Sequence, residues 1–352
     1  MFEKSTWIRL PRTVVVGHGV LDEVGAVVDD LQLGRRPLVV TSPTPRTVAA
    51  DQVVSDLEAA GLEPRVEVVE AASFESVTSV RDAATDHEAS FLVGIGGGKA
   101  IDVAKMAGHE AALPFLSVPT AASHDGLVSG RGSIPAADAR HSVAAEPPLA
   151  VVADTEILAD APWALTTAGC ADIISNYTAV KDWRLANRLH SVDYSEYAAA
   201  LSEMTAEMLV ESADSIRPGL EESVWLVVKA LVSSGVAMSI AGSSRPASGA
   251  EHLFSHQLDR LAPGVALHGH QVGVGTIMVE YLHTGDAGDW RVVRDALAQL
   301  GAPTTAEGLG VTPDDVVEAL STAHEIRDRY TILGAGMSAS AARTVAERTG
   351  VI

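Results

Sequence analysis

The stretch FLVGIGGGKAID, residues 91–102, decides the fold because a glycine-rich turn in it joins an apolar run to a helix-like run. Glycine stands at positions 94, 96, 97 and 98. A backbone without side chains can approach an anion closely, and the N–H groups at the start of a helix point toward that anion. The stretch therefore predicts a strand, a phosphate-binding turn beside the charge of Lys99, and a helix. On that helix, Asp102 either holds the first turn or faces a ligand.

Neither common phosphate fingerprint fits this turn. The third glycine of the GxGxxG pattern would fall on Lys99, and the Walker pattern requires Ser or Thr directly after the Lys. A tight turn that needs glycine only for its positive φ is the structural alternative.

Around this turn, the first part of the chain alternates short β-branched runs with segments of helical period, which is typical of parallel βαβ units. Six runs are interpreted as strands: TVVVG, RPLVVTS, PRVEVV, SFLVGIG, PFLSVP and LAVVAD. Helices are predicted between them, at residues 21–31 and 47–60 among others. Residues 1–155 should form a Rossmann-like, doubly wound α/β domain that binds a dinucleotide. The loops after LVVTS, FLVGIG and FLSVP should share one crevice at the carboxyl ends of the strands.

Residues 156–352 lack such β-branched runs, and helical period dominates there. Prolines at positions 218, 246, 263 and 303 interrupt the pattern. The second part is therefore predicted to be an all-α domain, which carries the metal and substrate sites.

The charge of the chain excludes several classes of partner. The formal net charge is −21, so non-specific binding to nucleic acid or to an anionic membrane is unfavourable. Arg outnumbers Lys by 20 to 5 among the basic residues. Such a composition is typical of a salt-loaded cytoplasm, where counterions screen the repulsion between carboxylates. An acidic bacterial protein encoded by GC-rich DNA is the alternative.

A soluble, cytoplasmic protein is expected. One cysteine, Cys170, cannot form an internal disulfide and is interpreted as buried packing. The first twelve residues contain no apolar run of a secretion signal. The most apolar segment, residues 223–242, contains Lys229 and four serines, and is interpreted as a core helix and not a membrane span.

Two further regions contain candidate ligand groups. The loop SVPTAASHDGLVSGRGSI, residues 117–134, is rich in small polar residues and includes His124 and Asp125, which could bond a hydroxylated substrate. An exposed surface loop is the alternative there. The second half offers Asp172, expected near the start of a helix, and two pairs of histidines, at positions 252 and 256 and at positions 268 and 270.

A mixed set of Asp and His ligands with an open coordination position suits catalytic zinc, which polarises a carbonyl group. His252 and His256 are four residues apart, so both project from one face of a helix. Glu251 precedes the first His, so the HExxH pattern of a metalloprotease is absent.

Five ordered motifs carry a resemblance to a known family: GIGGGKAIDVAK, SVPTAASHDGLVS, GCADIISNYTAVKDW, SGAEHLFSHQLD and ALHGHQVGVGT. Together they resemble the sn-glycerol-1-phosphate dehydrogenases, in the superfamily of glycerol dehydrogenase, iron-type alcohol dehydrogenase and dehydroquinate synthase. The resemblance implies reduction of dihydroxyacetone phosphate by NADH or NADPH to sn-glycerol 1-phosphate, the backbone of archaeal ether lipids. It also implies a homo-oligomer. The composition agrees with a halophilic archaeal source.

The resemblance also implies a set of site residues. Those implied to bind the cofactor are Gly96, Gly97, Gly98, Lys99 and Ala100 at the pyrophosphate, and Thr120, Ala121, Ala122, Ser123 and Ser129 on the nicotinamide side. Those implied to hold one Zn²⁺ are Asp172, His252 and His268, and Ni²⁺ or Fe²⁺ would suit the same ligands. Those implied to contact the substrate are Asp125, Asp172 and His256. The last two are the candidate catalytic residues, and His256 or a water relay is the hypothesis for the proton source.

Cofactor choice and rival activities follow from single positions. Thr41 and Ser42 stand where an acidic residue would repel a 2′-phosphate, so NADPH should be accepted, with help from Arg46. Glycerol dehydrogenase is the nearest rival activity. A dehydroquinate-synthase-like cyclase is disfavoured because that branch places Glu where Asp172 stands. A non-catalytic nucleotide-binding protein is the remaining alternative.

Overall fold

The computed structural model describes residues 7–135 and 140–352, and within those ranges it divides into a sheet-containing part and a helical part. The strands are β1 (Thr13–Gly17), β2 (Pro37–Thr41), β3 (Arg65–Val68), β4 (Phe91–Gly96), β5 (Phe115–Pro119), β6 (Arg131–Pro135), β7 (Arg140–Ala144) and β8 (Ala150–Asp154). All six strands proposed from the sequence are present.

Six strands form one parallel sheet in the order β1-β8-β5-β4-β2-β3. Successive side chains of a strand face opposite sides of the sheet. In β2, Leu38 and Val40 therefore join one apolar cluster while Val39 joins another. Both faces of the sheet are covered by helices, which confirms the doubly wound α/β fold predicted for this half.

The remaining elements are mainly helical. The helices are α1 (Val24–Leu31), α2 (Pro43–Pro45), α3 (Asp51–Ala59), α4 (Phe74–Asp86), α5 (Gly98–Ala111), α6 (Thr155–Asp160), α7 (Trp163–Ile174), α8 (Asn176–His190), α9 (Glu196–Ser212), α10 (Glu221–Ala241), α11 (Ala250–Leu261), α12 (His268–Thr284), α13 (Trp290–Leu300), α14 (Ala306–Leu309), α15 (Pro313–Thr322) and α16 (Ala339–Arg348). Short 3-10 turns lie at Val20–Glu23, Asp125–Leu127, Gly285–Ala287 and Ala323–Glu325, and a π turn lies at Arg46–Ala50. The described chain after Asp154 contains helices and no strand, and the four prolines lie between helices, as predicted. The domain boundary at residue 155 itself stays a prediction.

A small antiparallel hairpin of β6 and β7 was not predicted. The sequence pattern predicts one loop over residues 117–134, because the segment RGSIP lacks a β-branched run. Contacts with α5 hold this segment in place. Lys105 Nζ donates a hydrogen bond to the carbonyl of Arg131 at 2.6 Å, and the Ser133 N–H donates to Asp102 Oδ2 at 3.2 Å. The strand is therefore fixed by tertiary contacts and not by its own propensity.

Helix α10 is the one helix of the described residues that is long and apolar enough to cross a membrane. Half of its most apolar window is buried inside the protein. A Cβ atom on Gly235 would lie 3.1 Å from Val128, so this helix packs closely on the loop that follows β5. The contacts agree with the interpretation of a core helix.

Candidate metal and cofactor site

A cavity of about 630 Å³ lies at the carboxyl edge of the sheet, between the two parts of the chain. Its walls include the start of α5, the loop after β5, and residues of α7, α11 and α12. The loops after β4 and β5 share this crevice, as predicted. The loop after β2 does not line it and lies against Gly96 instead, where an added Cβ would be 3.3 Å from Pro45. The cavity brings the candidate cofactor turn and the candidate metal ligands to one space.

The glycines of the turn between β4 and α5 meet different spatial constraints. Only Gly96 has a positive φ, of 150°. A Cβ on Gly94 would lie 2.9 Å from the Phe115 ring, and one on Gly98 would lie 2.2 Å from His124 Nε2. A Cβ on Gly97 would meet no atom within 4 Å. A need for positive φ therefore explains one of the four glycines, and the backbone at Gly97 faces open space.

The predicted cofactor residues surround the start of α5 but differ in how they could act. Those that line the cavity are Gly98, Lys99, Ser123 and Ser129. Ala100, Ala121 and Ala122 have buried side chains, so only their backbone groups could meet a ligand. The Thr120 N–H donates to the carbonyl of Gly96 at 3.0 Å and ties the two loops together. Their roles in cofactor binding stay predictions.

The residues proposed to determine NADPH acceptance follow β2. Thr41 is buried and donates its hydroxyl to the carbonyl of Ile95 at 2.9 Å. Arg46 is exposed, and its Nε lies 3.3 Å from Asp51 Oδ1. The acceptance of NADPH stays a prediction. Arg46, which would attract the 2′-phosphate of NADPH, already forms an ion pair with Asp51.

Three predicted metal ligands meet on one wall of the cavity. Asp172, His252 and His268 each offer a ligand atom, and these atoms all lie within 4.8 Å of one another. His252 Nε2 is 3.5 Å from Asp172 Oδ1. Two ligands held about 2.1 Å from a tetrahedral zinc are separated by about 3.4 Å, so this spacing fits a shared cation. Asp172 Oδ1 is buried and has no hydrogen-bond partner among the described residues, as expected for an oxygen that coordinates a cation.

The position of Asp172 corrects one expectation. It lies two residues before the end of α7 and not near the start of a helix. The helical period continues from residue 163 through 190 with only a break at Ser175, so the sequence pattern does not reveal where one helix ends. The Asp125 N–H donates to Asp172 Oδ2 at 3.0 Å, which leaves Oδ1 directed to another partner.

Glu251 and Ser255 orient the imidazole rings of His252 and His268. Neither residue was predicted to have a role in the site. The side chain of Glu251, fully buried, lies 3.0 Å from His252 Nδ1 and also accepts hydrogen bonds from Thr178 and Gly249. Ser255 donates its one hydroxyl hydrogen to Gln271 Oε1, so it must accept from His268 Nδ1, 3.0 Å away. In each ring Nδ1 is engaged in this way, so Nε2 is the nitrogen that would coordinate a cation, as hydrogen-bond partners of metal-binding histidines commonly arrange.

A second group of potential ligands shares His268. His256, Asp259 and His268 offer atoms within 4.8 Å of one another. Asp259 was not predicted, although it lies three residues after His256 and hence on the same helix face. It already accepts a hydrogen bond from Gln271 Nε2 at 2.9 Å, whereas Asp172 Oδ1 has no such bond. The Asp172 group therefore fits the cation better, and His256 stands beside it with its ring centroid 5.6 Å from that of His268.

Titration in the site follows from burial and from neighbouring charges. Burial opposes protonation of His252, but interactions with Asp172 and Glu251 outweigh it and raise its pKa to about 9. Burial and then the charge of Asp172 raise the pKa of Asp125 to about 7, although Ser234 donates to its Oδ2 at 2.8 Å. The site without a cation therefore holds protons that a cation would displace.

Two other candidate groups lie outside the ligand cluster. His270 is buried, and its Nε2 is 2.9 Å from the Thr167 hydroxyl, which agrees with its exclusion from the ligand set. Cys170 is fully buried, and burial raises its thiol pKa to about 12. The interpretation of Cys170 as packing is confirmed.

The comparisons with known proteins agree with this geometry. Residues 15–162 match the family model of iron-containing alcohol dehydrogenases. The chain is 71% identical to the glycerol-1-phosphate dehydrogenase (NAD(P)+) of Halobacterium salinarum and 70% identical to that of Haloarcula marismortui, in both cases over 352 residues and all of each chain. The crystal structure of glycerol dehydrogenase from Schizosaccharomyces pombe covers 99% of this chain and 92% of its own, with a TM-score of 0.80 at 21% identity. At that identity the structure supports the fold alone.

Proposed function

Since this chain belongs to the family of glycerol-1-phosphate dehydrogenases, we propose that it reduces dihydroxyacetone phosphate with NADH or NADPH to sn-glycerol 1-phosphate. The product would supply the backbone of archaeal ether lipids in the cytoplasm. The observation that carries the proposal is the single cavity in which the turn before α5 faces the Asp172, His252 and His268 group.

The residues divide the work between the two walls of the cavity. Backbone N–H groups at the start of α5, together with Lys99, would bind the cofactor pyrophosphate, and NAD(P)H would supply the hydride. Asp172, His252 and His268 would hold one divalent cation, which supplies Lewis acidity toward the ketone oxygen. Zinc is proposed, and Ni²⁺ or Fe²⁺ would suit the same donors.

The chain itself contributes orientation and a proton. The Asp125 N–H fixes the Asp172 carboxylate, and Ser234 fixes the Asp125 side chain. Asp125 can then bond the substrate. His256 lines the same cavity, and its proposed roles are to contact the substrate and to deliver the proton that the reduced oxygen requires. Holding reactants in one geometry is a large part of such catalysis.

Glycerol dehydrogenase remains the second candidate, because the solved structures with that name share the fold. The two activities differ in whether a phosphate is required. The high identity to the Halobacterium salinarum protein over the full length favours the phosphorylated substrate. A cyclase that recycles its cofactor would consume no NADH over many turnovers.

The test is a chiral product assay with dihydroxyacetone phosphate, and with NADH and NADPH in turn. We expect sn-glycerol 1-phosphate, stoichiometric cofactor oxidation, loss of activity after chelation, and recovery when zinc is restored. Formation of the opposite enantiomer, or a faster reaction with unphosphorylated dihydroxyacetone, would contradict the proposal. Sedimentation of the same preparation tests the expected homo-oligomer.

A further inference from the structure

Four arginines converge beside the candidate metal site. Arg131 begins β6, Arg245 lies between α10 and α11, and Arg327 and Arg329 follow the turn Ala323–Glu325. Burial and then repulsion from the other arginines lower the pKa values of Arg327 and Arg329. Holding positive charges together in a partly buried place lowers the stability of the fold, unless a bound anion compensates the charge.

Within residues 7–135 and 140–352, none of these four arginines forms an ion pair with a carboxylate. Their side-chain partners are neutral: Arg327 donates to the Ser248 hydroxyl at 2.7 Å, and Arg329 donates to the Ser244 hydroxyl at 2.8 Å and to the carbonyl of Ser248. The Nε atoms of Arg131 and Arg327 are buried and have no hydrogen-bond partner.

The two nearby buried carboxylates, Glu251 and Asp182, are already engaged. Asp182 accepts hydrogen bonds from the N–H groups of Ala250 and Ile332 and lies 3.0 Å from His283 Nε2. Glu251 interacts with His252 and accepts hydrogen bonds from Gly249 and Thr178. The exposed arginines of the chain behave differently, since Arg36, Arg81 and others form ion pairs with carboxylates at the surface. The lack of a carboxylate partner is therefore a feature of the cavity and not of arginine in this protein generally.

This group opens onto the cavity that holds the candidate metal ligands. Arg131, Arg327, Ser244 and Ser248 line it together with Asp172, His252 and His268. The protein as a whole has a formal net charge of −21 and so repels a substrate anion. A local group of guanidinium ions favours an anion at this wall of the cavity, against the net charge of the whole protein.

We propose that Arg131 and Arg327 bind the phosphate group of the substrate, and that Arg329 positions them by holding the loop that contains Ser244 and Ser248. Guanidinium groups match the geometry of a phosphate through paired N–H donors, and the serine hydroxyls offer additional ones. This assignment rests on the proposed function, because it names how the same cavity distinguishes a phosphorylated ketone from a free one. The pyrophosphate of the cofactor is assigned to the other wall, at the start of α5.

The test compares Arg327→Gln and Arg131→Gln with Arg348→Gln, which removes the same charge at the exposed end of α16. For each cavity variant we expect kcat/KM for dihydroxyacetone phosphate to fall about 100-fold, mainly through KM. We expect kcat/KM for unphosphorylated dihydroxyacetone, zinc content and the Kd of NADPH to stay unchanged. Arg348→Gln should behave as the unmodified protein.

A second measurement does not depend on activity. Inorganic phosphate at constant ionic strength should raise the Tm of the unmodified protein and of Arg348→Gln, but not that of Arg327→Gln. If the unmodified protein does not reduce dihydroxyacetone phosphate, the proposed function fails, while this phosphate effect still tests the anion site. If the unmodified protein reduces it and both cavity variants keep their KM and their response to phosphate, the inference is wrong. A weaker binding of NADPH but not NADH would reassign the arginines to the cofactor and would equally overturn it.

Discussion

At the scale of single residues, Glu251 lies beside His252, one of the proposed metal ligands. Its buried carboxylate interacts with His252 Nδ1, so Nε2 is the nitrogen that would face a cation. Replacing it with the isosteric amide in Glu251→Gln should weaken zinc binding about 10- to 100-fold, because the imidazole loses both its orientation and its negative partner. Competition with a chromophoric chelator measures the affinity.

The control for this variant is Glu347→Gln, which removes the same charge from the exposed part of α16. Its zinc affinity should equal that of the unmodified protein. If Glu251→Gln also keeps that affinity, the carboxylate does not support a metal ligand.

The pH dependence of zinc binding follows from His252. Its pKa is about 9 in the cation-free site, so the ring is protonated at neutral pH and must release a proton before it can coordinate. Zinc affinity should therefore rise as the pH increases from 6 toward 9 and should level off above that pKa. Calorimetry in two buffers of different ionisation enthalpy would report the released proton. An affinity that stays constant between pH 6 and 9 would contradict this assignment.

The residues of the site differ in how far the sequence could predict them. Asp172, His252 and His268 stand in motifs that resemble a known family, and the structure brings them together. Their hydrogen-bond partners Glu251 and Ser255 lie in the motif SGAEHLFSHQLD, but the spacing of these two residues does not predict that they contact the histidines. The arginine group joins four positions from three distant segments, so only the folded chain could reveal it.

At the scale of elements, some glycines of the turn between β4 and α5 are required by packing, whereas Gly97 is not. Gly97 has an extended backbone with φ of −84°, and a Cβ placed there would enter open space. Gly97→Ala should therefore change the free energy of unfolding by less than about 1 kcal/mol. The added methyl group would occupy the proposed pyrophosphate position, so the Kd of NADPH should rise about 10-fold, equivalent to about 1.4 kcal/mol. Fluorescence titration and urea unfolding measure the two effects.

Gly25→Ala is the matched control, because its Cβ would make an ordinary contact 3.7 Å from Ala60, and Gly25 does not line the cavity. Cofactor affinity should be unchanged in it. Equal NADPH affinity in Gly97→Ala would show that the pyrophosphate does not approach this backbone.

The predictability of elements follows from what holds each of them. The strands of the parallel sheet are buried on both faces and appear in the sequence as apolar runs, as in β2 and β4. Strand β6 is held instead by Lys105, whose buried ammonium donates to the carbonyls of Gly126 and Arg131. The sequence does not show which carbonyl groups a single lysine on a helix will contact, so the hairpin was not predicted.

At the scale of the whole molecule, the two parts of the chain share an apolar core. One cluster contains Leu92 and Ala104 from the sheet side together with Leu209 and Val316 from the helical side. The cavity lies at this junction, so the distance between the cofactor turn and the metal ligands depends on that packing. The change from β-branched runs to helical period predicted two parts, but the continuous core could be recognised only from the contacts.

The net charge of −21 leads to a prediction about salt. At low ionic strength the 46 acidic residues repel one another with only 25 basic residues to balance them, and folding concentrates this charge on one surface. The screening length falls from about 10 Å at 0.1 M to about 3 Å at 1 M salt. The Tm should therefore rise by about 5 °C or more between 0.1 M and 2 M KCl, which corresponds to about 4 kcal/mol at an unfolding entropy of about 2 cal/mol/K per residue. Differential scanning calorimetry measures the Tm. Sucrose at equal osmolality is the control: it is excluded from the protein surface but does not screen charge, so it should raise the Tm less. A Tm that is flat in KCl, or that rises equally in sucrose, would favour the alternative of an acidic protein that is not adapted to salt.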